Sequence, residues 1–305
     1  MKLAVVGAGH MGRYHAEKFA ARGDCALVGI ADTDPARAQA LAAKLGCAAL
    51  GDYRQVLGKA DAAVVCVPTE RHHEVARACL EAGMHVLVEK PLAVDLPQSD
   101  ALVTLARDRK RVLQVGHVER YNAAFQALHA RMQRPLFIDA ERLSGFKQRG
   151  ADVDVILDLM IHDLDLAAAL AGAPVSEVSA CGFRVLTRDI DIATARIEFA
   201  NGCVANLTAS RVSRSPVRKL RVFQPDMYVS ADLQAGKLRY ARQTDGVIDE
   251  VEESHAGDAL AAQAEAFVKT IRGTPSGVDG VGGRQALGLA LEVGRRVRER
   301  LQRFG

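Results

Sequence analysis

The sequence predicts an α/β protein in two parts: an amino-terminal doubly wound parallel sheet, then an α+β region on a large, mainly antiparallel sheet. Three observations predict it. The chain has 305 residues, more than one average domain. Up to residue 118, short β-branched runs alternate with Ala-rich helical stretches. Beyond it, strand-like segments follow one another with turn residues between them. This change of texture divides the chain into 1–118 and 119–305.

In the first part KLAVVG, CALVGIAD, AAVVCVP, HVLVEK and RVLQVG are the strands, nearly continuous apolar runs of the kind that a sheet covered on both faces requires. GHVERYNAAFQALHARM reads as a helix at the passage to the second part. DVDVILDLMIHDLDLAAAL reads as another, apolar nearly all round. SEVSACGFRVL, IATARIEFANGCVANLTASRV, RKLRVFQ and DMYVSAD are strands. Asn201-Gly202, between two alternating segments, predicts a tight hairpin turn with positive φ angles. Two Ala- and Leu-rich helices, DALAAQAEAFVKTIRG and GRQALGLALEVGRRVRERL, close the chain around a Gly/Pro/Ser loop.

Composition excludes several functions. Hydrophobic residues make up 49% and charged residues 25%, and a net charge of +3 with both signs interspersed provides neither a nucleic-acid-binding basic patch nor an acidic tail. The expected partner is a small molecule. No apolar run approaches membrane-spanning length, and the amino-terminal MKLAVVGAGHMG runs into glycines without a cleavage pattern, so the expected location is the cytoplasm. Six cysteines without a C-x-x-C pair read as reduced, small core residues.

The first strand runs into VVGAGHMG, placing Gly7, Gly9 and Gly12 as G-x-G-x-x-G at the start of a helix. Gly7 permits a tight turn, Gly9 lets a pyrophosphate approach the backbone, and Gly12 lets the helix pack on the strand. The amides of His10 and Met11 then face the phosphates at the positive helix end. Asp32, at the end of the second strand, is placed to accept hydrogen bonds from the adenosine ribose, which makes NAD the expected cofactor of this Rossmann pattern. Arg37 lies close enough in sequence to soften the discrimination against NADP.

CVPTERHH and VEKPLA fall at the carboxyl ends of strands, where such sheets bind ligands. Glu89 and Lys90 stand side by side there, and Pro91 holds Lys90 extended as the chain leaves the sheet. A lysine in a dry pocket beside a cofactor is brought toward proton-transfer chemistry. The alternative is a surface Glu89–Lys90 pair that ends a strand.

VVGAGHMGRYHAEKFA, VCVPTERHHEVARACLEAGMHVLVEKPLA and LDLMIHDLDLA together resemble the glucose-fructose oxidoreductase / inositol dehydrogenase (Gfo/Idh/MocA) family of NAD(P)-dependent sugar oxidoreductases, over nearly the whole chain. The resemblance implies that Lys90 of the E-K-P tripeptide touches both the nicotinamide side of the cofactor and the substrate hydroxyl, with Glu89 beside it. It also implies that Pro68, Thr69 and His72 line the cofactor pocket.

If 153–170 is helical, Asp158, His162 and Asp165 fall at i, i+4 and i+7 in a stripe about 60° wide, with Asp163 on another face. Unpartnered burial of such groups costs about 2–7 kcal/mol each, so the stripe should line a cavity or form a network. By the resemblance, this stripe faces the nicotinamide: His162 is the general base, Asp158 orients substrate or imidazole, and Lys90 polarises the developing carbonyl oxygen. No metal is expected, since hydride transfer to nicotinamide needs none and no second histidine is well placed. Asp152 or Asp154 reads as a helix-start residue.

Met160 stands where the family usually has glycine, which predicts a bulkier pocket floor. Together with VGHVERYNAAF, this resembles the branch that oxidises nucleotide sugars, UDP-N-acetylglucosamine at its 3-hydroxyl among them. Glu119, Arg120 and Asn122 are then substrate-side candidates, with helix-start chemistry as their alternative. Arg211, Arg214, Arg218 and Lys219 either meet phosphates or form a solvated strand face. Two other functions stand beside this one: a dehydrogenase of a free cyclitol or aldose, and a non-catalytic nucleotide-sensing regulator on the same fold. The open face of the second sheet predicts a homodimer or homotetramer.

Overall fold

A computed structural model of the protein describes residues 1–146, 153–244 and 247–304. The chain divides into two compact units, Met1–Tyr121 with Ala259–Leu287, and Asn122–Asp258 with Gly288–Gly305.

The first unit alternates β1 (Lys2–Val6), α1 (His10–Ala20), β2 (Ala26–Ala31), α2 (Pro35–Leu45), β3 (Ala48–Leu50), β4 (Ala62–Val65), α3 (His72–Glu81), β5 (His85–Val88), α4 (Leu96–Asp108) and β6 (Leu113–Val115). All six strands are parallel, in the order β3-β2-β1-β4-β5-β6. The order reverses between β1 and β4, and that switch point is the crevice where such sheets take a ligand. One face buries Leu3, Val5, Phe19, Ile30 and Leu87. The other buries Val6, Val75, Leu80, Val88 and Leu102.

Two features of this unit escape a reading by chain order. β3 is a three-residue edge strand too short to show a period. The helix Ala259–Ile271 adds Phe267 to the first of these faces, edge-on to Phe19 at 6.3 Å, so the first unit includes a segment from beyond residue 118. The expected helix after residue 116 is two pieces, a 3-10 turn Val118–Tyr121 and α5 (Ala123–His129), separated by the cap residue Asn122.

The second unit continues with β7 (Phe137–Leu143), a π turn Ile156–Met160 running into α6 (Ile161–Ala171), β8 (Val175–Phe183), β9 (Ile192–Phe199), β10 (Val204–Ser210), β11 (Val217–Gln224), β12 (Met227–Asp232), β13 (Lys237–Thr244) and β14 (Val247–Ser254). The last helices are α7 (Ala259–Ile271) in the first unit and α8 (Gly280–Phe304). The sheet runs β14-β13-β12-β11-β7-β10-β9-β8 and is antiparallel except where β7 lies parallel to β10. β7, β13 and β14 were not legible as strands because ion pairs across the ladder stand where apolar alternation was sought. Arg221 of β11 reaches Glu141 of β7 at 3.0 Å, and Arg239 of β13 reaches Glu252 of β14 at 2.6 Å.

At the β9–β10 hairpin only Gly202 of the Asn-Gly pair takes a positive φ, +86°. Asn201 serves through its side chain, donating to the Ala171 carbonyl at 2.8 Å and accepting from the Cys203 amide at 3.1 Å. Among the described residues no helix is long and apolar enough to cross a membrane. All six cysteines are free thiols.

One buried carboxylate organises the approach to β9. A single oxygen of Asp191 accepts the amides of Val185, Leu186 and Thr187 at 2.7 to 2.8 Å, and the other accepts the Thr187 hydroxyl at 2.8 Å. Burial pushes its pKa up, but the three amides and the hydroxyl hold it down at about 2. Next to it, the carbonyl of Ile190 accepts the Val155 amide at 2.9 Å, so the same loop fixes the chain entering the π turn. Asp191→Asn should cost about 1–3 kcal/mol in denaturant unfolding near neutral pH, since the amide group cannot accept at every point where the carboxylate does. The folded value lies below the unfolded 3.8, so this stability is present above about pH 4 and lost as pH falls toward 2. The gap between wild type and variant should therefore close across that window.

Candidate active site

The glycine loop of the first unit is built by close approach. Gly7 follows β1 with φ +97°, and a Cβ there would lie 2.5 Å from the Cys66 carbonyl oxygen. A Cβ on Gly12 would lie 1.7 Å from the Gly7 carbonyl oxygen, so α1 packs on the loop only because residue 12 has none. Gly9 is different. Its φ of −68° suits any residue, and among the described residues nothing lies within 4 Å of the Cβ it lacks. The protein's own packing demands Gly7 and Gly12. The open space at Gly9 leaves room for a pyrophosphate to approach the backbone. α1 starts at His10 with no side-chain cap from Gly9, so the amides of its first turn lie at the positive end of the helix. These features fit a dinucleotide pyrophosphate.

Asp32 follows β2 and pins this loop. One carboxylate oxygen accepts the Ala8 amide at 2.6 Å and the other the Asp34 amide at 2.8 Å. Each oxygen keeps a second lone pair, which is what ribose hydroxyls need. Arg37 pairs with Asp34 at 3.1 Å on the surface, not with Asp32.

With Asp32 as a ribose contact, the adenosine half would lie above β2 and the nicotinamide half on the β4–β5 side of the crevice. There Pro68 is exposed and Thr69 half-buried at the start of a 3-10 turn. His72, expected as a pocket-lining residue, is buried as the first residue of α3. Its ring nitrogens lie 2.7 Å from the Pro91 carbonyl oxygen and 2.9 Å from that of Val67, so the side chain braces the backbone around Lys90. Burial holds its pKa below the ordinary histidine value against the pull of the two carbonyls. Glu89 is buried and in hydrogen-bond contact with His15 at 2.7 Å, which rules out an exposed surface pair with Lys90. Burial pushes the Glu89 pKa up, while His15 and the neighbouring Lys90 bring it below its usual range. Lys90 is half-buried at the end of β5.

His15 is the functional candidate that the motif reading missed. Its signal was present: Gly12, His15, Ala16 and Phe19 form the buried stripe of α1, and a histidine in such a stripe demands a partner.

In the second unit, Asp154 starts the catalytic-helix candidate, its carboxylate accepting the amides of Ile156 and Leu157 at 3.1 and 2.9 Å. Asp152 lies outside the described residues. Asp158 sits inside the π turn, so its spacing to His162 and Asp165 is not that of one regular α-helix. His162 is the second residue of α6 and, like Asp158, half-buried. Asp165 is buried. Asp163, on its own face as expected, meets Arg142 of β7 in a buried bidentate pair at 2.8 and 2.9 Å, which ties α6 to the sheet beside His162. Met160 is fully buried, so its bulk fills core.

Of the substrate-side candidates, Glu119 is buried and Arg120 half-buried in the 3-10 turn of the first unit. Asn122 caps α5, accepting the amides of Ala124 and Phe125 and donating to the Leu233 carbonyl at 2.8 Å, the helix-start alternative. Arg211 is buried, bonded to the Val153 carbonyl and 3.7 Å from Asp191, and is structural. Arg214, Arg218 and Lys219 are exposed. Among the described residues no group of three or more His, Cys, Asp or Glu side chains is arranged to hold a metal ion.

The sheet, its switch point and its glycine loop define a dinucleotide-binding α/β protein. Comparison with known proteins makes this specific. Residues 1–117 match an oxidoreductase family with an NAD-binding Rossmann fold, and residues 123–225 match the GFO/IDH/MocA C-terminal domain. UDP-N-acetylglucosamine 3-dehydrogenase of Acidithiobacillus ferrooxidans is 41% identical over 99% of both chains. Its solved structure superposes with a TM-score of 0.92 over 97% of each chain. A myo-inositol dehydrogenase of Streptomyces leeuwenhoekii is 34% identical over 69% of this chain and 70% of its own. The scyllo-inositol dehydrogenase of Lactobacillus casei, solved with bound NAD(H), shares the fold at 18% identity, with a TM-score of 0.84 over 98% of this chain and 97% of its own. The chain belongs to the GFO/IDH/MocA oxidoreductase family and is an NAD(P)-dependent dehydrogenase.

Gly9→Ala separates binding from folding. Its stability should change by about 1 kcal/mol or less, as for a poorer helix cap. Its NAD affinity, measured by calorimetry, should fall about tenfold or more, because the added methyl occupies the pyrophosphate's approach.

Proposed function

We propose that the protein oxidises a nucleotide sugar, withdrawing hydride from C3 of UDP-N-acetylglucosamine to give the 3-keto sugar. The observation that carries this reading is the 41% identity, sustained over 99% of both chains, to the Acidithiobacillus ferrooxidans enzyme of that activity. Bound NAD supplies the hydride acceptor. His162 takes the proton of the 3-hydroxyl as the carbon loses hydride, Lys90 donates to the oxygen as it becomes a carbonyl, and Asp158 orients the hydroxyl or the imidazole. Glu119 and Arg120 stand on the substrate side. Asn122 is withdrawn from that role, its side chain being used as a cap. Arg214, Arg218 and Lys219 remain the candidates for the diphosphate.

The protein is a cytoplasmic homo-oligomer on this reading: free thiols fit a reducing compartment, and exposed Phe183, Phe223 and Val175 on the eight-stranded sheet fit burial against a second copy.

The test is the absorbance of reduced nicotinamide when the protein meets NAD and UDP-N-acetylglucosamine with a ketone trap, beside free N-acetylglucosamine, inositols and NADP. Turnover with the nucleotide sugar alone is the expected result. Turnover with inositols instead would move the protein to the activity of its 34% identical relative. Lys90→Ala and His162→Asn should each lower kcat by about 10²–10⁴ while NAD still binds.

A further inference from the structure

The first unit contains a buried His15–Glu89 contact that no step of the reaction uses. His15 Nε2 lies 2.7 Å from Glu89 Oε1, with His15 fully buried and Glu89 8% exposed. The other carboxylate oxygen, Oε2, accepts the backbone amide of Lys90 at 3.3 Å. Glu89 therefore touches Lys90 through the backbone, and His15 touches Glu89. The cavity is fitted to that carboxylate: a Cβ on Gly116 would fall 2.9 Å from its carbon and from Oε1.

We propose that His15 is a positioning residue for Lys90, transmitting the placement of the phosphate-binding helix to the catalytic lysine through Glu89. This rests on the reading of Lys90 given above. α1 presents its amino-terminal amides to the pyrophosphate and carries His15 on its buried stripe just beyond Gly12. A helix turn is rigid over that distance, so the pyrophosphate site and the Glu89 carboxylate are held in register by one element. Without His15, Oε1 of this buried carboxylate loses its side-chain partner, which disfavours the place Glu89 holds. Releasing it frees the amide of Lys90, and a displacement of about 1 Å at a reacting group is enough to lose 10²-fold in rate. The pyrophosphate contacts come from the loop amides and not from His15. Cofactor affinity is therefore separable from the rate.

Two neutral amides of different reach test this in the full-length protein. In His15→Gln the side-chain nitrogen reaches the place of Nε2 and still donates to Glu89. In His15→Asn it reaches only the place of Nδ1. The glutamine variant should keep kcat within about threefold of wild type and the asparagine variant should lose about 10²-fold, with NAD affinity of both within about threefold. Hydrogen exchange at the Lys90 amide, read without substrate, should be faster in the asparagine variant than in the glutamine variant. Equal kcat and equal exchange in the two variants, or NAD affinity falling in step with kcat, would overturn the proposal. Lys90→Ala is measured beside them. Full turnover there sinks the reading of the active site itself, whereas loss there with indistinguishable amides sinks only the role of His15. Should no tested sugar be turned over, the exchange comparison decides alone.

Discussion

The contact between α1 and the end of β1 governs the first unit. With 1.7 Å between the Gly7 oxygen and a Cβ that Gly12 does not have, the helix comes closer to the loop than any other residue would allow. Three consequences follow from that approach. The first-turn amides stand over the switch point of the sheet, the Ala8 amide comes within 2.6 Å of Asp32, and His15 is carried down to Glu89. The proposed phosphate and ribose contacts and the seat of Lys90 therefore share one packing constraint.

The second unit meets a different problem, that of holding polar groups on a mostly apolar helix. Asp163 is neutralised by Arg142 in a buried bidentate pair, and Asp154 caps the chain before the π turn. The π turn places Asp158 one irregular step before the regular helix that carries His162. π turns are rare and occur often at functional sites, which agrees with the roles proposed for both residues. Asp191 supports the same segment from outside, through the Ile190 carbonyl and the Val155 amide.

The parallel sheet and its glycine loop were legible in the sequence because strands buried on both faces leave continuous apolar runs, and because glycine alone satisfies the turn at Gly7 and the contact at Gly12. Asp32 and the E-K-P tripeptide were legible by their places at strand ends. The return of Ala259–Leu287 to the first unit was not, since chain order does not say which apolar surface a late amphipathic helix will cover. β7, β13 and β14 were hidden by their charge ladders. The π turn left no mark, because its residues are ordinary helix formers and the extra residue shows only in the backbone. His72 illustrates a different limit: the family resemblance implied a pocket-lining residue, and only the structure shows its ring nitrogens within 2.9 Å of the Pro91 and Val67 carbonyl oxygens. His15 was legible in principle as a histidine on an apolar stripe, and its partner was already in view as the acid beside Lys90.

The central claim, that hydride passes from C3 of a nucleotide sugar to the nicotinamide, is tested most directly by following the hydrogen itself. UDP-N-acetylglucosamine carrying deuterium at C3 is incubated with the protein and NAD, and the reduced cofactor is analysed by mass spectrometry. The account predicts reduced nicotinamide carrying one deuterium and a slower turnover than with the protiated sugar. Reduced cofactor without deuterium would place the oxidation at another carbon, and absence of reduction with this sugar would contradict the claim outright.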